Sequence, residues 1–215
     1  MKDLLLITPP FTQLNTPYPA TAYLKGFLNT KNISSYQIDL EIEVILEIFS
    51  KKGVTEIFNV KPKNLSENAQ RIFALREEYI KTIDEVIAFL QNKKPTLARQ
   101  ICSMNFLPEA SRFNQLDDME YAFGNMGLQD KAKHLATLYL EDLSDYIVEN
   151  IDENFGFSRY AERLGRSANS FDELYEKLQS DKTFVDNFTL EILEKKLLET
   201  KPKLVCFSVP FPGNL

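Results

Sequence analysis

A chain of 215 residues with 44% hydrophobic and 26% charged residues has the composition of one or two globular domains with a sizeable core. Its formal charge of −6 counts against a general nucleic-acid binder, which needs a basic face to displace counterions, and against docking on anionic lipid. No apolar run is long enough to span a bilayer, and two cysteines with one histidine are too few for a disulfide framework, a thiolate metal site or an iron–sulfur cluster.

The first element predicted is a strand. Leu4-Leu5-Leu6-Ile7 is an unbroken apolar run, and Thr8-Pro9-Pro10 stops it. Such a run suits a strand buried on both faces, as in a parallel sheet; the prolines lack the amide hydrogen that a central strand needs. Lys2 to Ile7 is too short for a signal-peptide core and has no small-residue cleavage site, so the expected location is the cytoplasm. After an irregular stretch, Ala20, Tyr23, Leu24, Phe27 and Leu28 fall at helical spacing and predict one apolar stripe. Ser35 to Leu40 reads as a second, shorter strand. Strand, loop, helix and strand make a βαβ unit, which winds right-handed into a parallel sheet.

The region from Glu41 to Thr200 reads as helical. Ile42, Ile45, Leu46 and Phe49 form a short stripe that Gly53 ends. Val54 to Val60 alternates weakly and reads as a short extended piece. Asn64 to Gln91 predicts the strongest helix, with Asn64 and Glu67 as an N-cap pair. Thr96 to Met104 suits another short helix, and Pro108 to Gly127 reads as a loop. Asp130 to Asn150 is helical. Gly156 to Asn169 is ambiguous. Ser170-Phe171-Asp172-Glu173 has the pattern of a capping box at the start of a helix carrying Leu174 and Leu178. Thr183 to Glu199 completes the block. Leu204 to Val209 is a second continuous apolar run and predicts a third buried strand. The expected fold class is α/β: a Rossmann-like parallel sheet, incomplete, formed by residues 1–40 and 201–215 and interrupted by a helical insertion over residues 41–200. A central strand so near Leu215 leads us to expect the amino-terminal piece of a longer protein.

In open parallel sheets, ligands sit beyond the carboxyl ends of the strands. That places Thr8, Pro9, Pro10 and Phe11 after the first strand, and Ser208, Val209 and Pro210 after the third, as candidate binding residues. The plainer alternatives are a proline-rich crossover that only routes the chain, and a Ser208 hydroxyl that caps its own turn. The loop has neither a dinucleotide glycine fingerprint nor a phosphate-binding Gly-Lys-Ser/Thr. His134 reads as a helix-surface histidine without a ligand partner at suitable spacing. Asp117, Asp118 and Glu120 lack the frame of a calcium loop and read as a solvated acidic turn. Arg159, Arg163 and Arg166 read as surface cations pairing with Glu162 and Asp172, with a phosphate grip as the sharper alternative. Cys206 reads as a buried, inert thiol.

Taken together, these residues resemble the amino-terminal cobalamin-binding domain of radical S-adenosylmethionine proteins. The shared features are a first strand running into Thr8-Pro9-Pro10, an Ala22-Tyr23-Leu24 stretch in the following helix, a second strand ending in Asp39-Leu40, and a third of the type Lys201-Pro202-Lys203-Leu204-Val205-Cys206-Phe207-Ser208. The resemblance covers residues 3–39 and 201–215. It implies a sheet that holds cobalamin at its carboxyl edge, with Ser208 meeting the nucleotide tail. It also implies a downstream radical domain of the same chain as partner; a [4Fe–4S] cluster and S-adenosylmethionine would belong to that domain, since the family's Cys-x-x-x-Cys-x-x-Cys motif does not occur in these residues. Cobalamin domains that supply a cobalt ligand carry Asp-x-His-x-x-Gly after the first strand. Here Thr8-Pro9-Pro10-Phe11-Thr12-Gln13 contains no histidine, so this loop offers cobalt no lower ligand, and loss of cobalamin binding is an open alternative. Two rivals remain: a non-catalytic module recognising a protein or peptide substrate, and a helical adaptor whose ends only mimic βαβ.

Overall fold

The computed structural model describes residues 3–11, 14, 18–62, 64–103, 105–115, 127–153, 155–157 and 171–209. By internal contacts the chain divides into two units, Met1–Glu47 with Asn154–Leu215, and Ile48–Glu153. The first carries the sheet and is α/β; the second is helical.

In the first unit, β1 (Leu4–Thr8) lies at the centre of a three-stranded parallel sheet of order β2-β1-β3, with β2 Ser35–Asp39 and β3 Leu204–Phe207. Leu4 pairs with both Ser35 and Leu204, and Ile7 with both Ile38 and Phe207. The rival in which the chain ends fail to pair is therefore excluded. Leu5, Leu6 and Ile7 are buried on both faces, as an unbroken apolar run in a central parallel strand should be. At the opposite end of the strands, Asp3 O accepts from Lys203 N and Leu204 N, and Lys203 Nζ lies 2.6 Å from Asp3 Oδ1. That ammonium holds the Asp3 carboxyl below its usual range.

Helix α1 (Ala20–Thr30) connects β1 and β2. It ends in a Schellman turn: Asn32 has φ 56°, Asn32 N donates to Asn29 O, and Ile33 N donates to Leu28 O. Most of the expected apolar stripe is exposed. Thr21 is buried and Lys25 and Leu28 are half-buried, whereas Tyr23 is 77% exposed and Phe27 59%. The correction to β3 is of the same kind. Its apolar run predicts burial on both faces, yet Leu204 is 57% and Phe207 52% exposed. Among the described residues only one edge of β3 is paired in the sheet, and an apolar, β-branched run reports strand propensity rather than what covers the strand. Cys206, expected to be buried, is half-exposed for the same reason.

Helix α2 (Leu40–Ile48) follows β2 without a break, because Asp39 Oδ1 accepts from Ile42 N (3.3 Å) and so caps the new helix.

In the second unit, α3 spans Lys51–Asn59, α4 Glu67–Ala74, α5 Arg76–Leu90, α6 Ala98–Ile101 and α7 Gly127–Asn150. The expected extended piece at Val54 to Val60 is helical instead. Val54, Ile57 and Phe58 bury one face at helical spacing, and Ser50 Oγ caps the helix through Gly53 N. The single helix expected over Asn64 to Gln91 is two helices that meet at Leu75. The break preserves the hydrogen-bond ladder: Leu75 N donates to Arg71 O and Ile72 O, and Leu75 O accepts from Glu78 N and Tyr79 N. The N-cap is Ser66, bound to Ala69 N, not Asn64. Tyr79, Tyr139 and Tyr146 are fully buried, as are Ile72, Ile83, Val86 and Leu143.

Two more helices belong to the first unit: α8 (Asp172–Gln179) and α9 (Phe184–Thr200). The cap expected at Ser170 lies outside the described residues. A capping box does open α9, where Thr183 Oγ1 accepts from Asp186 N and Asp186 Oδ2 accepts from Thr183 N. Lys196 of α9 pairs with Glu43 of α2 at 2.9 Å. Among the described residues no helix is long and apolar enough to cross a membrane.

Candidate functional site

The three strands point the same way, so their carboxyl ends form one edge. Thr8 closes β1 and pairs in register with Asp39, the last residue of β2. On the other side Ser208 N donates to Ile7 O at 2.9 Å, which carries the β1–β3 ladder one residue past Phe207. Asp39, Thr8 and Ser208 therefore form a row across the whole edge.

Each member has a different environment. Thr8 is buried, and its Oγ1 lies 3.3 Å from Thr21 Oγ1 in the first turn of α1. That pair fixes the start of α1 against the end of β1. Asp39 is half-buried. Burial pushes its carboxyl above the usual range, opposed by the backbone N–H groups of Ile42 and Glu41, while Glu43 adds to the rise. Glu41, two residues on, is itself buried. Ser208 is half-exposed and Val209 exposed.

The loop after β1 turns inward. Pro9 is buried, Pro10 half-buried and Phe11 buried. Phe11 has φ 61°, a left-handed conformation unusual for a bulky side chain. Its ring meets Phe155 edge-on, with centroids 6.0 Å apart, and Phe155 meets Phe157 in the same way at 6.1 Å. Burial of the Phe11 ring is what holds the strained backbone. Phe11 is thus a wall of the site, not a group offered to solvent.

Of the residues expected at this edge, the structure brings together Thr8, Pro9, Pro10, Phe11, Ser208 and Val209; Pro210 lies outside the described residues, as does much of the loop up to Thr16. Three members were not anticipated: Thr21, Asp39 and Glu41. The signal for Asp39 was present, because an acidic residue closing the second strand of a βαβ unit stands at the ligand edge. Thr21 carried no signal, since the partner of a buried hydroxyl depends on how the helix is rotated.

His134 is half-buried on α7, in the helical unit. Asp117, Asp118, Glu120, Arg159, Arg163 and Arg166 lie outside the described residues. Among the described residues no group of three or more His, Cys, Asp or Glu side chains could hold a metal ion. Compared with known proteins, the chain matches no family model, no curated protein and no solved structure.

The edge can hydrogen-bond a ligand and shield part of it from water. It has a carboxylate at one end, a hydroxyl at the other and an aromatic wall behind the first loop.

Proposed function

We propose that this chain is the cobalamin-binding-like amino-terminal region of a larger radical S-adenosylmethionine iron–sulfur enzyme. It acts in the cytoplasm and presents a corrinoid, or the substrate, to a downstream radical domain of the same protein. The observation that supports this reading is the meeting of β1 and β3. The two segments that carry the resemblance are two hundred residues apart in sequence, and they pair in parallel with their carboxyl ends in one row. The residues at that row suit a corrinoid in part. Ser208 offers a half-exposed hydroxyl and Asp39 a half-buried carboxylate, while the loop from Thr8 to Thr16 contains no side chain that ligates cobalt. A bound corrinoid would supply methyl-transfer or related radical chemistry; the residues described here would hold and orient it. The test is to purify the product of the complete gene with hydroxocobalamin and measure the corrinoid retained after gel filtration. Stoichiometric retention is expected, and no uptake at micromolar protein overturns the cofactor reading.

The exposed aromatics of α1 favour a second reading. Tyr23 and Phe27 border a shallow apolar depression with Ala22 and Gly26, as a module that recognises a protein or peptide substrate would present. Enrichment of a peptide ligand that is lost on Tyr23→Ala, with no corrinoid uptake, would decide for that reading.

A further inference from the structure

We infer that the outer face of α1 docks on α9 of a second copy of this chain. The inference is independent of what the strand edge binds.

Exposed apolar surface is distributed one-sidedly. Among the described residues every exposed large hydrophobic except Leu128 belongs to the sheet-bearing unit. Two helices of that unit, α1 and α9, present faces of opposite charge.

The face of α1 is apolar, cationic and notched. Tyr23, Leu24 and Phe27 are exposed. Residues 4–38 contain no aspartate or glutamate, although the chain has 31 acidic residues, and their only cations are Lys25 and Lys31. Lys31 Nζ lies 5.6 Å from the centre of the Phe27 ring. Lys25 Nζ lies 5.9 Å from that of Tyr36, itself exposed on β2. Neither ammonium pairs with a carboxylate among the described residues. Between Tyr23 and Phe27 the helix surface dips at Ala22 and Gly26. A Cβ at Gly26 would have no heavy atom within 4 Å. Glycine is the least favourable residue in a helix interior after proline. No neighbour within the copy requires it at this position; a side chain arriving from outside does.

The face of α9 has the opposite character. Leu198, 65% exposed, is the most exposed aliphatic side chain among the large hydrophobic residues described. Glu191, Glu194, Lys195 and Glu199 stand around it, while Lys196 is engaged with Glu43. Three carboxylates against one ammonium leave this face with a charge of −2; Lys25 and Lys31 give α1 a charge of +2. A projecting leucine ringed by carboxylates matches a notch flanked by ammoniums, and complementary charge sets the pairing. Both faces are exposed in one copy, so the contact joins two copies. Made twice about a two-fold axis, it closes a dimer.

The test is sedimentation equilibrium of the 215-residue chain over about 1–200 µM. The mass should rise with concentration toward twice that of one chain. Gly26→Gln should raise the unfolding midpoint, because glutamine favours a helix, yet weaken association about ten-fold or more by filling the notch. Lys25→Glu with Lys31→Glu makes both faces acidic, and Glu194→Lys with Glu199→Lys makes both basic. Each of these double variants should stay monomeric alone, and an equal mixture of the two should dimerise, because both contacts then join opposite charges. A monomeric wild type overturns the inference and leaves α1 to a different partner, such as the peptide considered above. A dimer that Gly26→Gln leaves unchanged, or a mixture that stays monomeric, overturns it as well.

Discussion

Asp142 is wholly buried in the helical unit and uses both carboxylate oxygens to hold a turn against α7. Oδ2 accepts from Ala110 N at 3.0 Å and Oδ1 from Arg112 N at 3.1 Å. Asp142→Ala would leave both N–H groups without an acceptor, so a loss of about 2–4 kcal/mol is expected in urea unfolding. Burial pushes the Asp142 carboxyl up to about 6, against the two N–H bonds that lower it. The folded value lies above the unfolded one, so the contribution of this group to stability is fully present below about pH 4 and is lost as pH rises through about 6. Asp145 and Arg112 face the same carboxylate, and Arg112 is open to water. Screening reduces the swing to about 1–2 kcal/mol. The wild type minus Asp142→Asn difference in unfolding free energy, followed from pH 4 to 8, should fall and then level; a flat difference would contradict it. Thr8 illustrates what sequence can and cannot say at this scale. Its place after an apolar run and before two prolines marks it as an edge residue, but its bond to Thr21 follows from the rotation of α1, which no local pattern encodes.

Among the elements, α1 and β3 are where apolar pattern and burial part. In α1 the stripe at Tyr23, Leu24 and Phe27 is real, but the face that meets the sheet is Thr21, Lys25 and Leu28. A periodic stripe identifies a helix; it does not say whether the described sheet or something else covers it. Tyr23→Lys with Phe27→Lys should therefore change the melting free energy by less than about 0.5 kcal/mol, while lowering ANS fluorescence of the native protein. In β3, Val205→Lys at a partly exposed position should also cost little. Leu6→Ala in the central strand should cost about 2–5 kcal/mol through the cavity it leaves. Similar losses for both would show that β3 is buried in solution. The βαβ unit itself was legible because Leu4 to Ile7 has no polar break and Pro9-Pro10 ends it. Helix α3 was not, because Val54, Phe58 and Val60 fit a weak alternation while Val54, Ile57 and Phe58 fit a helical spacing over the same short window.

For the whole molecule, the division at residues 47 and 154 gives two sets of internal contacts. The pattern of the sequence changes at residues 40 and 201, where strand-like runs border helical ones; α8 and α9 fall in the same unit as the sheet. The units should respond separately to damage. Asp142→Ala should speed amide hydrogen exchange in α5 and α7 and leave Leu5, Leu6 and Ile7 as protected as before. Acceleration in both sets would mean that the chain unfolds as one.

The pairing of β1 with β3 also has a consequence for synthesis. Asp3 and its partner Lys203 are two hundred residues apart. At about 5–20 residues per second, the first strand waits roughly 10–40 s on the ribosome before its second neighbour exists. Throughout that interval the most apolar segment of the nascent chain has an open flank, which makes it the natural client of a chaperone that binds extended hydrophobic peptide.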